Sequence, residues 1–353
     1  MAVADELRAS GAEVSFLGTR ERIEAELVSA AGYEIDFVKV RGIDRRNLLR
    51  AARAGFEALG AVAAARKALR RRGADVVMGG GGFVAGPAGL AATLTRTPLV
   101  LTEADSHLGL ANRLLAGRAR RVCLAFPIAG REGERYLVTG RPVPKAVLEG
   151  DRAAARARFG IEPEARCLLV VGGSQGARSV NFAAIAAFAE QPDAVVPGMR
   201  GEVRPRDFHV VHIAGARDYR ELKTRLADAP HAERYTLLEY EPNLGDALAA
   251  ADLVLGRSGG SIFEVVAAGR PAILVPYPFA TADHQSANAE WMRAGGAARV
   301  IADAELDPDA LRAEVDAVLG DPARLAEMAA AARALARPDA ARRIADQVLE
   351  AAR

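Results

Sequence analysis

The stretch CLLVVGGSQGARSVN, residues 167–181, decides the fold of this chain. Its first five residues are apolar and predict a buried strand, and the residues from about Ser179 predict the start of a helix. The glycines between them let the backbone approach a diphosphate closely, and free amides at a helix start attract anions. The stretch therefore predicts a strand–turn–helix unit that binds a phosphate-bearing ligand, and a tight turn without a ligand is the alternative.

Two later segments extend this prediction, RSGGSIFEVVAAG (257–269) and ADHQSANA (282–289). Their residues suited to a nucleotide sugar are Gly260, Ser261, Glu264, Gln285 and Asn288. Glu264 stands one turn into a predicted helix, where a carboxylate can accept hydrogen bonds from two ribose hydroxyls; a glutamate favoured by the helix dipole is the alternative. The three segments together predict one half of a sugar-nucleotide pocket.

Apolar, strand-like runs alternate with helix-like stretches along the whole chain, which predicts an α/β fold with parallel sheets covered on both faces. The runs lie at 13–18, 34–40, 74–79, 98–103, 121–126, 135–140, 167–171, 209–215, 235–240, 253–259 and 272–278. The clearest helices are predicted at 2–10, 21–31, 47–72 (broken near Gly55 or Gly60) and 151–159, with three more after Asp307. We expect one domain over 1–140 with a returning helix at about 338–353, and a second over 141–337.

Composition narrows the class of protein. Half of the 353 residues are apolar and 26% are charged, as in a soluble globular protein. The two cysteines have no metal or redox spacing, which favours a buried role and a reducing compartment. Residues 1–150 hold 23 Lys and Arg against 16 Asp and Glu, and the remainder holds 24 against 29. A basic first half suits a phosphate-bearing lipid surface or nucleic acid, and solvated helix faces are the alternative.

The beginning of the chain carries an expectation of its own. Residues 2–10 have the pattern of the helix that follows the first strand of a doubly wound sheet. The first strand and its phosphate loop are therefore expected either upstream or lost from this copy, and a fold that starts with a helix is the third interpretation.

With these segments described, the chain resembles the MurG family, the UDP-N-acetylglucosamine transferases that convert the first lipid-linked peptidoglycan precursor to the second. The resemblance rests on residues 16–28, 34–42, 79–92, 101–116, 172–181 and the RSGG…E…HQ…NA series. It implies the GT-B fold, two Rossmann-like domains with parallel sheets facing a cleft. The first domain is implied to receive the lipid acceptor, and the second to bind the sugar nucleotide.

The resemblance also implies roles for single residues. Ser174, with Gly173 and Gln175 in the same loop, would contact the donor diphosphate or sugar. Glu264 would hold the ribose, and Gln285, with Asn288 beside it, the sugar hydroxyls. The remaining implied contacts are Gly260 and Ser261 with the nucleotide, the backbone of 240–244 with uracil, and Gly80, Gly81 and Gly82 with the acceptor diphosphate.

The chain departs from the family pattern in four places, one of which is the segment before Glu264, which is one residue short. The family's first glycine-rich loop, with its histidine, has no counterpart here. The family's Glu-Gln-Asn stands as Glu103, Ala104, Asp105, so that a carboxylate replaces the amide that would reach the sugar. Pro144 occupies the place of an expected arginine, for which Arg141 and Lys145 are the candidate substitutes.

The implied reaction is an inverting transfer of N-acetylglucosamine from UDP-GlcNAc. The sequence is interpreted as having no Asp-x-Asp metal motif, so we expect neither metal nor cofactor. The histidine of the family's first loop would be one candidate base, and Asp105 and Glu103 are the candidates that this chain retains. The expected partners are an undecaprenyl-linked acceptor and the anionic cytoplasmic face of a bacterial cell membrane, and not nucleic acid. Another GT-B enzyme (a sugar-nucleotide 2-epimerase or a natural-product glycosyltransferase) and an inactive nucleotide-binding subunit remain as alternatives.

Overall fold

The computed structural model describes residues 1–20, 24–40, 48–173, 176–191, 194–195, 203–204 and 208–353. These residues form two compact units. Unit 1 consists of Met1–Pro142 and Arg337–Arg353, and unit 2 consists of Val143–Ala336.

Helices and strands alternate through the described residues. The helices are α1 (Ala2–Ala9), α2 (Glu24–Ala30), α3 (Leu48–Arg72), α4 (Gly82–Thr95), α5 (Leu110–Leu115), α6 (Lys145–Leu148), α7 (Arg152–Arg158), α8 (Arg178–Ile185), α9 (Ala216–Ala227), α10 (Leu244–Ala250), α11 (Ile262–Ala267), α12 (His284–Ala294), α13 (Pro308–Leu319), α14 (Pro322–Leu335) and α15 (Ala340–Ala352). The strands are β1 (Ser15–Gly18), β2 (Glu34–Phe37), β3 (Val77–Gly79), β4 (Leu99–Glu103), β5 (Arg121–Leu124), β6 (Tyr136–Val138), β7 (Arg166–Val171), β8 (Ala194–Val195), β9 (Val203–Arg204), β10 (Phe208–Ile213), β11 (Tyr235–Leu238), β12 (Leu253–Gly256), β13 (Ala272–Leu274) and β14 (Ala298–Val300).

In unit 1, strands β3, β4, β5 and β6 form a parallel sheet in that order, and β1 pairs with β2 in a second parallel sheet. Residues along β4 alternate between the two faces of its sheet. Leu99 and Leu101 pack with Leu115 of α5, whereas Val100 packs with α1 and with Ile344 of α15. The sheet is therefore covered on both faces, and the last helix of the chain completes the core of the first unit.

Helix α3 differs from its prediction, because it continues without a break from Leu48 to Arg72. A Cβ added at Gly60 would have no neighbour within 4 Å, so this glycine lies on an open side of the helix. A single glycine in a helix costs only about 1 kcal/mol relative to alanine, and the Ala- and Leu-rich surroundings favour the helix. The predicted helix at 21–31 begins outside the described residues.

In unit 2, the main sheet has the parallel order β11-β10-β7-β12-β13-β14. The chain runs outward from β7 to β10 and β11, and then returns to the other side of β7 with β12. The strand order therefore reverses at the carboxyl end of β7. Ligands of open parallel sheets bind at such a switch point. The predicted class, an α/β fold with Rossmann-like parallel sheets, is confirmed.

Candidate functional site

The glycine turn after β7 lies so close to the end of β10 that side chains have no room there. A Cβ at Gly172 would approach the side-chain oxygen of Asn181 to 2.5 Å and the carbonyl oxygen of Ala214 to 2.7 Å. Gly215 has φ +82°, and a Cβ on it would lie 2.6 Å from both the oxygen of Gly173 and the nitrogen of Gly176. These glycines allow the close approach that fixes the turn at the switch point.

Two residues of this turn, Ser174 and Gln175, lie outside the described residues, so their contacts with a donor diphosphate stay predictions. The glycine before them is exposed and has φ +73°. The turn leads into α8, whose amino end is a natural place for negative charge. The binding of an anion by this turn stays a prediction.

A buried polar cluster lies behind the turn. The side-chain amide of Asn181 donates to the Ala214 carbonyl oxygen at 2.8 Å and to Asp218 Oδ2 at 2.9 Å. His212 bonds through Nε2 to Asn181 Oδ1 at 3.0 Å and through Nδ1 to the Tyr235 hydroxyl at 2.7 Å. The side chains of Asn181, His212 and Asp218 are completely buried. The cluster is not apparent from the sequence, because Asn181 is 31 residues from His212 and 37 residues from Asp218.

The ionisation states in this cluster follow from its surroundings. Burial lowers the pKa of His212 to about 3, against the opposing charge of Asp218, so the imidazole is neutral at physiological pH. Burial would raise the pKa of Asp218. Hydrogen bonds from Arg217 and Asn181, and the charges of Arg217 and Arg178, lower it further than burial raises it. The cluster therefore joins a neutral histidine to an ionised aspartate.

The second turn, after β12, is anchored by Arg257. Its guanidinium donates to the carbonyl oxygen of Val275 at 3.0 Å and to the hydroxyl of Ser179 at 2.7 Å, and it pairs with Asp303 at 2.6 Å. The arginine thus joins the ends of β12 and β13 to α8. These N–H donors of Arg257 are directed at groups of the protein, so we interpret Arg257 as a residue that positions the turn.

The structure brings the ADHQSANA segment against the RSGG turn. The buried Ser258 donates its hydroxyl to the carbonyl oxygen of Gln285 at 2.7 Å, and Asn288 Nδ2 donates to the Ser258 carbonyl oxygen at 2.9 Å. Gln285 Oε1 accepts from the Tyr277 amide at 3.0 Å. Asn288 is only 3% exposed, so its burial favours holding the turn over reading a sugar. Gln285 is half-buried, and its role at the sugar stays a prediction.

The remaining predicted residues of this turn are half-buried: Gly260, Ser261 and Glu264. Glu264 lies in the first turn of α11. Gly256, the last residue of β12, pairs with Val171, the last residue of β7. The two glycine-containing turns therefore leave the same edge of the sheet from neighbouring strands.

The backbone before α12 is strained. Ala282 and Asp283 both have φ 52°, in the left-handed region that non-glycine residues rarely adopt. Such strain costs about 1–3 kcal/mol per residue and concentrates at functional sites. Its position directly before His284 and Gln285 agrees with a functional role for this segment.

In unit 1, the glycine run after β3 opens α4. Gly81 (φ +82°) precedes the helix and Gly82 (φ +73°) begins it, so both residues need the conformational freedom of glycine. Gly80 is exposed, and a Cβ on it would lie 3.7 Å from the hydroxyl of Thr102 in β4. The ends of β3 and β4 therefore meet at one edge of this sheet. The predicted contact of these glycines with an acceptor diphosphate stays a prediction.

Glu103 organises the segment that follows β4. Its carboxylate accepts hydrogen bonds from the amides of Ala104 at 3.0 Å, Asp105 at 3.3 Å and Gly109 at 2.8 Å. Asn112 Nδ2 adds a fourth at 2.9 Å. The side chain is buried, and proton transfer to it would disturb these bonds. The geometry therefore favours a positioning role for Glu103, and Asp105 is the half-buried carboxylate of the pair.

Arg141 lies three residues after the end of β6 and is half-buried. The preceding Gly140 has φ +85°, and a Cβ on it would lie 2.5 Å from the Cβ of Arg337. The chain is thus fixed at the residue before Arg141. Its predicted contact with substrate stays a prediction.

The residues that the structure describes contain no group of three or more His, Cys, Asp and Glu side chains placed to hold a metal ion. The chain has one Asp-x-Asp triplet, Asp307-Pro308-Asp309. The Asp307 carboxylate accepts from the amides of Asp309 and Ala310 at 2.9 Å, so it caps α13.

Comparisons with known proteins agree with these features. Residues 1–124 match the N-terminal domain of glycosyltransferase family 28, and residues 167–344 match its C-terminal domain. A UDP-N-acetylglucosamine–N-acetylmuramyl-(pentapeptide) pyrophosphoryl-undecaprenol N-acetylglucosamine transferase of Nitrosococcus oceani is 41% identical, over 100% of this chain and 94% of that protein. The transferase of the same name from Moorella thermoacetica is 38% identical, over 96% and 91%. The crystal structure of MurG from Acinetobacter baumannii superposes with a TM-score of 0.76 and 29% identity, over 99% and 94%.

Rossmann-like parallel sheets with glycine turns at the carboxyl ends of their strands define a glycosyltransferase of the GT-B class. The matches cover both halves of the chain and nearly the full length of the relatives. The chain belongs to the MurG family of glycosyltransferase family 28. The resemblance stated from the sequence is confirmed.

Proposed function

We propose that this chain transfers N-acetylglucosamine from UDP-GlcNAc to the N-acetylmuramyl unit of a pentapeptide-bearing pyrophosphoryl-undecaprenol lipid, the step that makes the second lipid-linked precursor of peptidoglycan from the first. The observation that carries the proposal is the 41% identity, over the whole chain, to a transferase of that name. Family membership at this level favours the transferase over a 2-epimerase, a natural-product glycosyltransferase or an inactive subunit.

The acceptor hydroxyl oxygen attacks the anomeric carbon, and the bond from that carbon to the diphosphate oxygen breaks. The electron pair leaves with UDP, and the new bond has inverted, β geometry. The turn after β7 and the amino end of α8 offer backbone amides to the leaving diphosphate. Glu264 accepts from the ribose hydroxyls, and Gln285 contacts the sugar. The backbone amides, rather than a metal ion, stabilise the charge that develops on UDP, and Glu264 and Gln285 position the donor.

A carboxylate must take the proton of the attacking hydroxyl. We assign this role to Asp105, because the neighbouring Glu103 carboxylate already accepts four hydrogen bonds. Gly80, Gly81 and Gly82 bind the acceptor diphosphate at the amino end of α4, which has 14 residues and a full helix dipole. Arg141 supplies a positive charge for the same substrates.

The lipid acceptor places the enzyme at a membrane surface, and the UDP-sugar donor implies its cytoplasmic side. Unit 1 exposes large apolar side chains on two packed helices, Leu90 and Leu94 of α4 and Leu110 and Leu114 of α5. The exposed Arg113 and Arg118 lie on α5 and directly after it. Apolar anchors beside basic residues suit an anionic bilayer. None of the helices in the described parts of the chain is both long and apolar enough to span a bilayer.

The test is transfer of labelled N-acetylglucosamine from UDP-GlcNAc, with and without the lipid-linked acceptor, followed by product analysis. The proposal expects a β-linked disaccharide on the lipid and free UDP, both dependent on the acceptor. It also expects Asp105→Asn to lose transfer while its affinity for UDP stays unchanged. Formation of UDP-N-acetylmannosamine without acceptor, or no turnover with the lipid, contradicts the proposal.

A further inference from the structure

We propose that Asn181 and His212 are positioning residues for sugar transfer, which hold the turn after β7 in the shape that binds the donor diphosphate. This inference rests on the proposed function, because the turn must be the diphosphate site for its shape to matter. The residues do not touch the ligand. They act through the backbone and the glycines of the turn.

Each hydrogen bond of the cluster has only one possible donor and one possible acceptor. Asn181 Nδ2 donates to two groups that only accept, the Ala214 carbonyl and the Asp218 carboxylate. Its Oδ1 must therefore accept from His212 Nε2, which carries the proton. His212 Nδ1 is then unprotonated and accepts from the Tyr235 hydroxyl at 2.7 Å. A single tautomer of a neutral histidine thus satisfies every bond from Tyr235 to Asp218.

The cluster meets the turn through contacts with little freedom. Asn181 Oδ1 lies 2.5 Å from the Cβ position of Gly172, and Asp218 Oδ2 lies 2.9 Å from that of Gly176. The Ala214 carbonyl, which Asn181 holds, lies 3.2 Å from the latter position. Asn181 and Asp218 therefore occupy the space that a side chain at Gly172 or Gly176 would need.

Arginines at the edge of the cluster complete the link. Arg217 donates to the Gly176 carbonyl oxygen at 3.2 Å and to Asp218 Oδ1 at 3.0 Å. Arg178, the first residue of α8, contacts the same carboxylate at 3.3 Å. Asp218 is thus held by Asn181 from inside and by arginines from the surface. Loss of the His212 donor leaves the buried Asn181 Oδ1 without its hydrogen bond, which weakens the support of the turn on that side.

The experiment compares His212 with His209, another histidine of β10. His209 bonds to Thr236 of the neighbouring strand at 2.8 Å, away from the cluster, so it is a matched control. His212→Leu removes the donor to Asn181, His212→Gln keeps an N–H donor there, and His209→Leu changes the same strand elsewhere. Each variant is tested for UDP affinity by calorimetry, for the KM of both substrates and for kcat. The stoichiometry of UDP binding measures the fraction of each variant that is folded.

The inference expects His212→Leu to weaken UDP binding and raise the donor KM by about tenfold or more, because small misplacements of binding groups carry large penalties. The acceptor KM stays unchanged in the folded fraction. His212→Gln recovers UDP affinity to within about threefold of the unsubstituted chain, and His209→Leu does not alter it. Should His212→Leu bind UDP as tightly as the unsubstituted chain, or should both histidine-to-leucine variants lose affinity equally, the inference is wrong.

Should His212→Leu not fold, Tyr235→Phe decides, since it removes the hydroxyl that donates to His212 Nδ1 and leaves that buried acceptor without its partner. The expected result is a donor KM raised by about threefold or more at unchanged acceptor KM, and an unchanged donor KM overturns the inference. Failure of the unsubstituted chain to bind UDP is a different outcome, because it overturns the proposed function itself.

Discussion

Glu264 is the residue on which the proposed recognition of the donor depends most. It lies in the first turn of α11, half-buried, on the turn that follows the strand next to β7. A carboxylate there is favoured by the helix dipole and can accept from two vicinal hydroxyls. Its place one turn into a helix was predicted from the sequence and is confirmed, and its contact with the ribose stays a prediction.

We expect Glu264→Ala to weaken UDP binding by about 10- to 100-fold, since two hydrogen bonds to a charged group contribute roughly 1–3 kcal/mol together. Calorimetric titration measures the change. The matched control is Glu290→Ala, whose carboxylate is exposed and paired with Arg293 on the surface of α12. With 2′,3′-dideoxy-UDP the unsubstituted chain and the Glu264 variant should bind equally. If the unsubstituted chain and the Glu264→Ala variant bind UDP with equal affinity, Glu264 does not bind the ribose.

Glu103 shows where residue-level prediction stops. A carboxylate beside Asp105 suggests a base from its chemistry alone. The structure surrounds it with three backbone amides and the Asn112 side chain, and these donors are fixed by the path of the chain from β4 into α5. These contacts cannot be predicted from the sequence. A glutamate that acts as a base and a glutamate that only positions the backbone therefore look the same in the sequence.

At the scale of elements, the sheet of unit 2 depends on a polar cluster in its interior. Asn181 of α8, His212 of β10 and Asp218 of α9 join three elements around the switch point. The strand positions were predictable from apolar runs, and so was the glycine turn. The cluster was not, because hydrogen bonds across elements have no period in the sequence, and neither was the short strand β14.

The neutral state of His212 makes the stability of unit 2 depend on pH. Burial lowers its pKa from 6.5 to about 3, so between these values the unfolded chain binds a proton that the folded chain does not. The free energy of unfolding therefore falls as pH decreases from about 6.5, by about 1.4 kcal/mol per pH unit from this group. Above pH 7 the group has no effect.

Urea denaturation between pH 4.5 and 8 checks this expectation. The chain has a single tryptophan, Trp291, and it lies in unit 2, so its fluorescence reports the unfolding of that unit. His212→Gln should remove the contribution, and the difference in unfolding free energy between the two proteins should change only below about pH 6.5. The change should then approach about 1.4 kcal/mol per pH unit. A difference that is constant down to pH 4.5 would show that His212 is not buried and neutral.

At the scale of the whole molecule, the basic first half and the exposed leucines of α4 and α5 predict association with anionic membranes. Sedimentation with anionic and neutral vesicles at two salt concentrations measures it. We expect binding to anionic vesicles that weakens as salt increases, since basic residues each contribute on the order of 1 kcal/mol. Leu94→Gln with Leu114→Gln should reduce binding, whereas Leu148→Gln, an exposed leucine of unit 2, should not. Binding that does not depend on charge or salt contradicts the membrane proposal.

Hydrogen–deuterium exchange of the full chain, with and without UDP, tests the central claim that unit 2 binds the donor at the carboxyl ends of β7 and β12. Ordering of the turns around the diphosphate should slow exchange there. The account predicts slower exchange in peptides covering 167–185, 253–267 and 282–290, and no change in peptides covering 77–110. Protection confined to 77–110, or the absence of protection at saturating UDP, would contradict it.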